Sequence, residues 1–195
     1  SLSEIFRILV VMERRNWLHK SAETDRYTVS YHVLQTALRA SPVQALGVAA
    51  APVMYALSIA AIQSCHMAVM ADNVALIVLQ LASPAHSGFG VRLGTRAHPT
   101  RSCSGRVLLA FDDAAQLERT LASVKIPPAE VKELQARLTL IRERGYEIRP
   151  SVRSMGVTDI SYPIFGFDGR IRAALTMPFL TVIDGSHQPD IEHSR

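Results

Sequence analysis

The chain has 195 residues, enough for one core domain and a smaller appended unit. A net charge of +4 and a pI near 9.4 fit a nucleic-acid partner without demanding one. Two cysteines give no disulfide framework, and the apolar run 8–12, hemmed in by Glu4, Arg7, Glu13, Arg14 and Arg15, is too short for a signal-peptide core; a reducing, cytoplasmic setting is expected.

Leu2, Ile5, Leu9 and Met12 recur at helical spacing, with Ser3, Arg7 and Arg14 on the opposite side. This predicts an amphipathic helix with one packed stripe and one facing solvent or phosphate. Taken alone, such an arginine-bearing helix reads as an ordinary solvated surface helix. After Trp17 and Leu18, a polar stretch at 19–26 leads into the β-prone run Tyr27-Thr28-Val29-Ser30-Tyr31. Helix, strand, loop, strand is the order of the second half of a winged helix.

Residues 45–62 are almost uncharged and nearly long enough to span a bilayer. Their alanine content, Gly47, Pro52 and the spacing of the few large side chains predict a packing helix instead, suited to a dimer contact or a sheet cover. Ser41-Pro42 supplies a cap and a first-turn proline.

From about Ser64 the pattern is mixed α/β. Strands are predicted at 65–71 and 74–81, joined by an Asp72-Asn73 turn, and at 89–95; helices follow at 102–110, 114–122 and 129–144, the last stopping at Gly145. Strands 157–165 and 170–177 flank Asp168-Gly169, a strong hairpin signal. A turn there sets Ser161 opposite Thr176 and Asp159 opposite Pro178, and period-two alternation puts Asp159, Ser161 and Thr176 on one face. The other face carries Ile160, Tyr162, Leu175 and Met177 and reads as core. The polar face is either solvated or the floor of a pocket.

The helix start Thr100-Arg101-Ser102-Cys103-Ser104-Gly105-Arg106 offers free backbone amides and, at Gly105, close approach; a capping side chain or water is the ordinary occupant of such a terminus. Enzymatic motifs are weak. Gly88-Phe89-Gly90 with Gly94 runs into a strand, not a helix, and Cys65 and His66 point to opposite faces of a strand, so neither nucleotide binding nor a shared metal is expected. A helix N-terminus lowers a thiol pKa in principle, which leaves Cys103 open as a redox sensor. No enzyme activity, cofactor or metal is expected.

SEIFRILVVMERRNWL followed by DRYTVSYHVLQ resembles the recognition helix and wing of IclR-type bacterial transcription regulators. VRLGTRAHPTRSCSGRVLLAF is similar to the stretch of their sensor domains where a helix opens with two small residues before Gly-Lys or Gly-Arg. RERGYEIRPSVRSMGVTDISYPIFGFDGRIRAALTMP resembles their C-terminal signature.

The resemblance implies an α/β (α+β) fold: a GAF-like antiparallel sheet with flanking helices at 64–195, preceded by linker and first sensor helices at 36–63 and a partial winged helix-turn-helix at 1–35. The family's two helices before the recognition helix have no counterpart ahead of Ser1. Implied DNA-binding residues are Ser1, Ser3, Glu4 and Arg7 in the first turns and Lys20 and Arg26 in the wing. Implied effector-binding residues are Cys103 and Ser104 at the helix start, Asp159, Ser161 and Thr176 on the hairpin, and Arg149. In relatives that sense small carboxylic acids the last of these positions is often acidic and the Asp159 position small or a thiol. The implied partners are operator DNA, a small effector with organic acids as the candidate class, and a homodimer or tetramer, with no membrane. The alternative is a stand-alone small-molecule or thiol-based redox sensor that does not bind DNA.

Overall fold

The computed structural model describes residues 1–40, 42–86, 88–183 and 189–192. Ser41, assigned above as a cap, and tail residues 185–188 lie outside the described residues. The chain divides into two compact units, Ser1–Ala50 and Ala51–Arg195.

In the first unit, α1 (Leu2–Arg14) begins at the N-cap Ser1 with Glu4 as its third residue, the arrangement of a capping box. Strands β1 (Leu18–Lys20) and β2 (Tyr27–Val29) pair antiparallel, Leu18 opposite Val29, and α2 (Tyr31–Ala40) follows. The expected packed stripe of α1 is only partly covered. Leu9 and Met12 are half-buried, but Leu2 and Ile5 are exposed at 77% and 57%. The β1–β2 pair has three residues per strand, too little surface to cover a helix of 13.

Helix α3 (Pro42–Ala61) continues through Pro52, which lacks an amide N–H and so gives up one helical hydrogen bond. By length and hydropathy alone, Gln44–Ala61 suffices to cross a membrane. Met54, Ser58 and Ala61, spaced four and three apart, are nevertheless buried, and Ala61 packs with Ile160, Met177 and Phe179 of the sheet. Val48, Val53, Tyr55 and Ile59 remain exposed.

The second unit is built on an antiparallel six-stranded sheet in the order β5-β4-β3-β8-β7-β6. Its strands are β3 (Cys65–Ala71), β4 (Val74–Leu81), β5 (Arg96–Ala97), β6 (Glu147–Pro150), β7 (Val157–Phe165) and β8 (Ile171–Leu180). Asp72 and Asn73 both have positive φ, as a two-residue type I′ hairpin requires. The β7–β8 register places Ser161 opposite Thr176 and Asp159 opposite Pro178, as the sequence predicts. The loop itself is longer than Asp168-Gly169: Gly166 donates to the Arg170 carbonyl, and Gly169 lies in the left-handed region and donates to the Gly166 carbonyl.

Residues 89–95 do not form the predicted strand; only β5 forms, beside β4. Ile77 donates to the Thr95 carbonyl and accepts from Gly94, after which the chain turns away.

Helices α4 (Cys103–Phe111), α5 (Ala114–Val124) and α6 (Pro128–Arg144) follow. Val107, Leu108, Leu109, Leu134, Leu138 and Ile141 of α4 and α6 join Ala68, Ala75, Ile77 and Ala174 of the sheet in one buried cluster. Each buried aliphatic side chain contributes about 1.5–3 kcal/mol relative to exposure. The small sheet residues let α4 sit close. Gly105 lets the segment before α4 fold back against the helix, since a Cβ there would lie 2.4 Å from the Pro99 carbonyl oxygen. The face holding Ser161 and Thr176 is therefore covered, not solvated: the two are 0% and 1% exposed.

Candidate functional site

A cavity of about 60 Å³ lies between the polar sheet face and the start of α4. Its lining includes His66 from β3, Cys103 and Ser104 from α4, Asp159 from β7, Thr176 from β8 and Phe89 from the irregular segment before β5. Thr176 stands opposite both His66 and Ser161, so three strands bring these groups into one row.

At the helix start, Ser102 accepts from the Gly105 amide and donates to the His98 carbonyl. The capping serine leaves Cys103 and Ser104, at the first two helical positions, without intrahelical acceptors for their amides. These amides and the positive end of α4 favour a carboxylate.

Cys103 is no reactive thiol. Its Sγ donates to the carbonyls of Glu147 and Asp159 at 3.5 and 3.4 Å, and burial, reinforced by the charges of Asp159 and Glu147, pushes its pKa well above the ordinary value. Burial outweighs the helix terminus, and the thiol-sensor alternative loses its chemical basis.

Asp159 is half-buried. Removal from water raises its pKa to about 6, against the opposing effects of a Ser151 hydrogen bond and the charge of Arg149. Near neutrality this carboxyl is poised between donor and acceptor.

His66 was not among the expected site residues. It is 5% exposed, burial lowers its pKa to about 4, and its Nδ1 is buried without a hydrogen-bond partner among the described residues. A buried polar atom left unpaired costs about 1–3 kcal/mol. The available signal was a lone imidazole inside the apolar run 65–71. Cys65 and His66 do face opposite ways, since Cys65 Sγ donates to the Met54 carbonyl of α3 while His66 lines the cavity under α4.

Two expected effector residues do not line this cavity. Ser161 lies beneath it, with its Oγ 2.8 Å from Thr176 Oγ1. Arg149 pairs with Asp159 in the β6–β7 register, but its long side chain reaches past the sheet edge to the Arg101 carbonyl and lines a different cleft.

Among the expected DNA-binding residues, Ser1, Ser3, Glu4 and Arg7 share the exposed first turns of α1, and Ser1 and Ser3 hydroxyls are 2.8 Å apart. Arg26 is exposed. Lys20 is paired with Asp25 at 2.7 Å, which raises its pKa chiefly through their hydrogen bond.

A six-stranded antiparallel sheet whose polar face encloses a small cavity against a helix start makes this a mixed α/β domain. The family model of the bacterial transcriptional regulator IclR C-terminal domain matches residues 40–183. The chain therefore belongs to the IclR family of bacterial transcriptional regulators. It is 23% identical over 188 residues to the HTH-type transcriptional regulator KdgR of Dickeya chrysanthemi, covering 93% of this chain and 62% of that regulator's length. An IclR homolog from Microbacterium hydrocarbonoxydans, solved in complex with 4-hydroxybenzoate, superposes with a TM-score of 0.76 at 22% identity, covering 93% of this chain and 78% of that one. Pseudomonas aeruginosa HmgR gives 0.70 at 25% identity over 91% and 75% of the two chains.

Proposed function

We propose that this chain senses a small organic acid in the cavity under α4 and couples its occupancy to operator binding by the N-terminal unit. The observation that carries the sensing half is the buried Nδ1 of His66, unpaired among the described residues, in a cavity that also offers helix-start amides, a carboxyl and a hydroxyl. The ligand carboxylate meets the Cys103 and Ser104 amides, and a hydroxyl or similar group at its far end meets His66, Asp159 and Thr176. An aromatic hydroxy acid, the class bound by the Microbacterium relative, has this polarity. The cavity's 60 Å³ is below the volume of ordinary ligand sites, so entry of a ring requires segment 88–95 to shift.

In this reading residues 1–35 are a partial winged helix, 36–63 the linker and first sensor helices, and 64–195 the effector domain. Ser1, Ser3, Glu4 and Arg7 face a DNA groove, and Lys20 and Arg26 face phosphate, Lys20 exchanging Asp25 for the backbone. The protein acts in the cytoplasm as a homodimer or tetramer, for which the exposed side chains Val53, Tyr55 and Ile59 of α3 offer contact area. Effector switches DNA binding only to the extent that it prefers one arrangement of the dimer.

The test is a thermal-shift screen against aromatic and aliphatic carboxylic acids, repeated on Thr176→Val. A ligand at about one hundred times its dissociation constant adds about 2.7 kcal/mol, a midpoint rise of about 5–10 °C for a chain of this size. The expected result is a hit that the variant loses. The absence of a shift with every acid overturns the carboxylate assignment. Binding to duplex DNA that weakens steeply with salt is the matching expectation for the N-terminal unit.

A further inference from the structure

The larger cavity of the sensor domain is not the one just described. A cleft of about 600 Å³ opens between α6, the segment before α4 and the end of β6, and its lining includes Arg101, Arg106, Arg137 and Arg149. Two carboxylates also line it, Glu130 and Glu133, both exposed on α6.

The four arginines are not equivalent. Arg137 is committed, since its Nε and Nη2 bind both oxygens of the fully buried Glu147 at 2.9 and 2.5 Å, and Arg144 shares the same carboxylate. Arg106 and Arg149 are held by backbone instead: Arg106 Nε donates to the Thr100 carbonyl at 2.7 Å and Arg149 Nη1 to the Arg101 carbonyl at 2.9 Å. Among the described residues, neither has a carboxylate within ion-pair distance.

Two half-buried cations anchored to adjacent carbonyls thus share one cleft with no carboxylate in ion-pair contact among the described residues, Glu147 and Glu133 acting on Arg106 only from farther off. Their mutual effect is felt, because burial first and the positive charge of Arg149 second lower the Arg106 pKa. Neutral carbonyls orient the guanidinium forks but leave terminal N–H groups to donate, and paired forks match the geometry of an oxyanion. The volume lies within the range of small-molecule sites, ample for an organic anion of several carbons.

We propose that this cleft is a second ligand site, separate from the cavity under α4, and that it takes a small dianion, a phosphate ester or a dicarboxylate, gripped between Arg106 and Arg149. The two sites share a wall, because Arg149 lines the cleft while its register partner Asp159 lines the other cavity. The proposal stands apart from the effector reading and does not need it.

Isothermal titration of the full chain with inorganic phosphate and with succinate, at an ionic strength held constant with sodium chloride, tests it. At least one dianion should bind above the chloride control, and which one does so assigns the phosphate or dicarboxylate source. Arg106→Gln and Arg149→Gln should each weaken that binding roughly tenfold or more, as loss of a charge-assisted contact does. Arg149→Lys, which keeps the charge but not the fork, should lose binding as Arg149→Gln does, and a parental thermal midpoint in each variant guards against a folding defect. Thr176→Val, in the other cavity, should bind the dianion as the parent does. Failure of both probes to bind, or parental affinity in both glutamine variants, overturns the site. A dianion lost on Thr176→Val but kept in the arginine variants places it in the α4 cavity and overturns the site equally.

Discussion

Ser161 and Thr176, cross-strand partners on β7 and β8, join hydroxyls at 2.8 Å beneath the α4 cavity, and both are almost completely buried. Thr176 reaches the cavity while Ser161 does not, so Ser161 is a positioning residue for the group above it.

That pair makes a prediction independent of any ligand. Thr176→Val keeps the shape but strands the Ser161 hydroxyl, and should destabilise by about 1–3 kcal/mol. Ser161→Ala with Thr176→Val removes both polar groups and should recover much of the loss. Urea denaturation of the parent, the two single variants and the double variant checks this; additive losses would mean that the bond contributes nothing.

His66 and Asp159 line the same cavity and titrate with opposite effects on stability. The His66 pKa is lowered to about 4, so its contribution is present above the unfolded value near 6.5 and is lost as pH falls through 4. The Asp159 pKa is raised to about 6, so the folded state holds the proton more tightly, and stability from this group declines as pH rises from about 4 to 6. In the parent the two slopes offset one another. Asp159→Asn should therefore steepen the rise of stability between pH 4 and 6.5, whereas His66→Gln should leave a decline with rising pH. Melts of both variants across that window read the signs directly.

Much of this fold was legible because the decisive signals are local. Asp72-Asn73 fixes the β3–β4 turn through two positive φ angles, and the β7–β8 register follows from one hairpin and period-two alternation. Residues 89–95 misled because Phe89, Val91 and Thr95 alternate to line a cavity, not to pair with a neighbouring strand. The candidate site was half legible: Cys103, Ser104, Asp159 and Thr176 do converge, whereas His66 and the diversion of Arg149 depend on where α4 settles on the sheet. That placement is a tertiary event between segments forty or more residues apart in the chain, as the contact of Cys103 with Glu147 illustrates.

Asn73 ties its own turn to a helix, since its Oδ1 accepts from Gln116 Nε2 at 3.1 Å and from Thr120 Oγ1 at 3.2 Å. Its φ of 60° lies in the left-handed region, which asparagine tolerates better than most residues. Asn73→Gly keeps the turn but loses the ties, and Asn73→Ala loses both. The expected order of stability is parent, then Asn73→Gly, then Asn73→Ala, with about 1–3 kcal/mol lost on leaving the fully buried Thr120 without that partner. Thermal melts rank the three; equal stability for parent and Asn73→Gly would show that α5 is held without this anchor.

Glu147 is the one fully buried carboxylate among the described residues, and it holds α6 to β6 through Arg137 and Arg144. Replacing it with glutamine removes the charge while keeping the shape, leaving two guanidinium groups, 31% and 23% exposed, to find other partners. Breaking a buried pair from one side typically costs 3–5 kcal/mol, and the partial exposure of both arginines places Glu147→Gln near the lower end, at about 3 kcal/mol. The loss should scarcely respond to salt, because the carboxylate is shielded from mobile ions. Chemical denaturation in urea at low and high sodium chloride measures both the size and the salt response. A loss below about 1 kcal/mol, or one erased by salt, would mark the cluster as an ordinary surface ion pair.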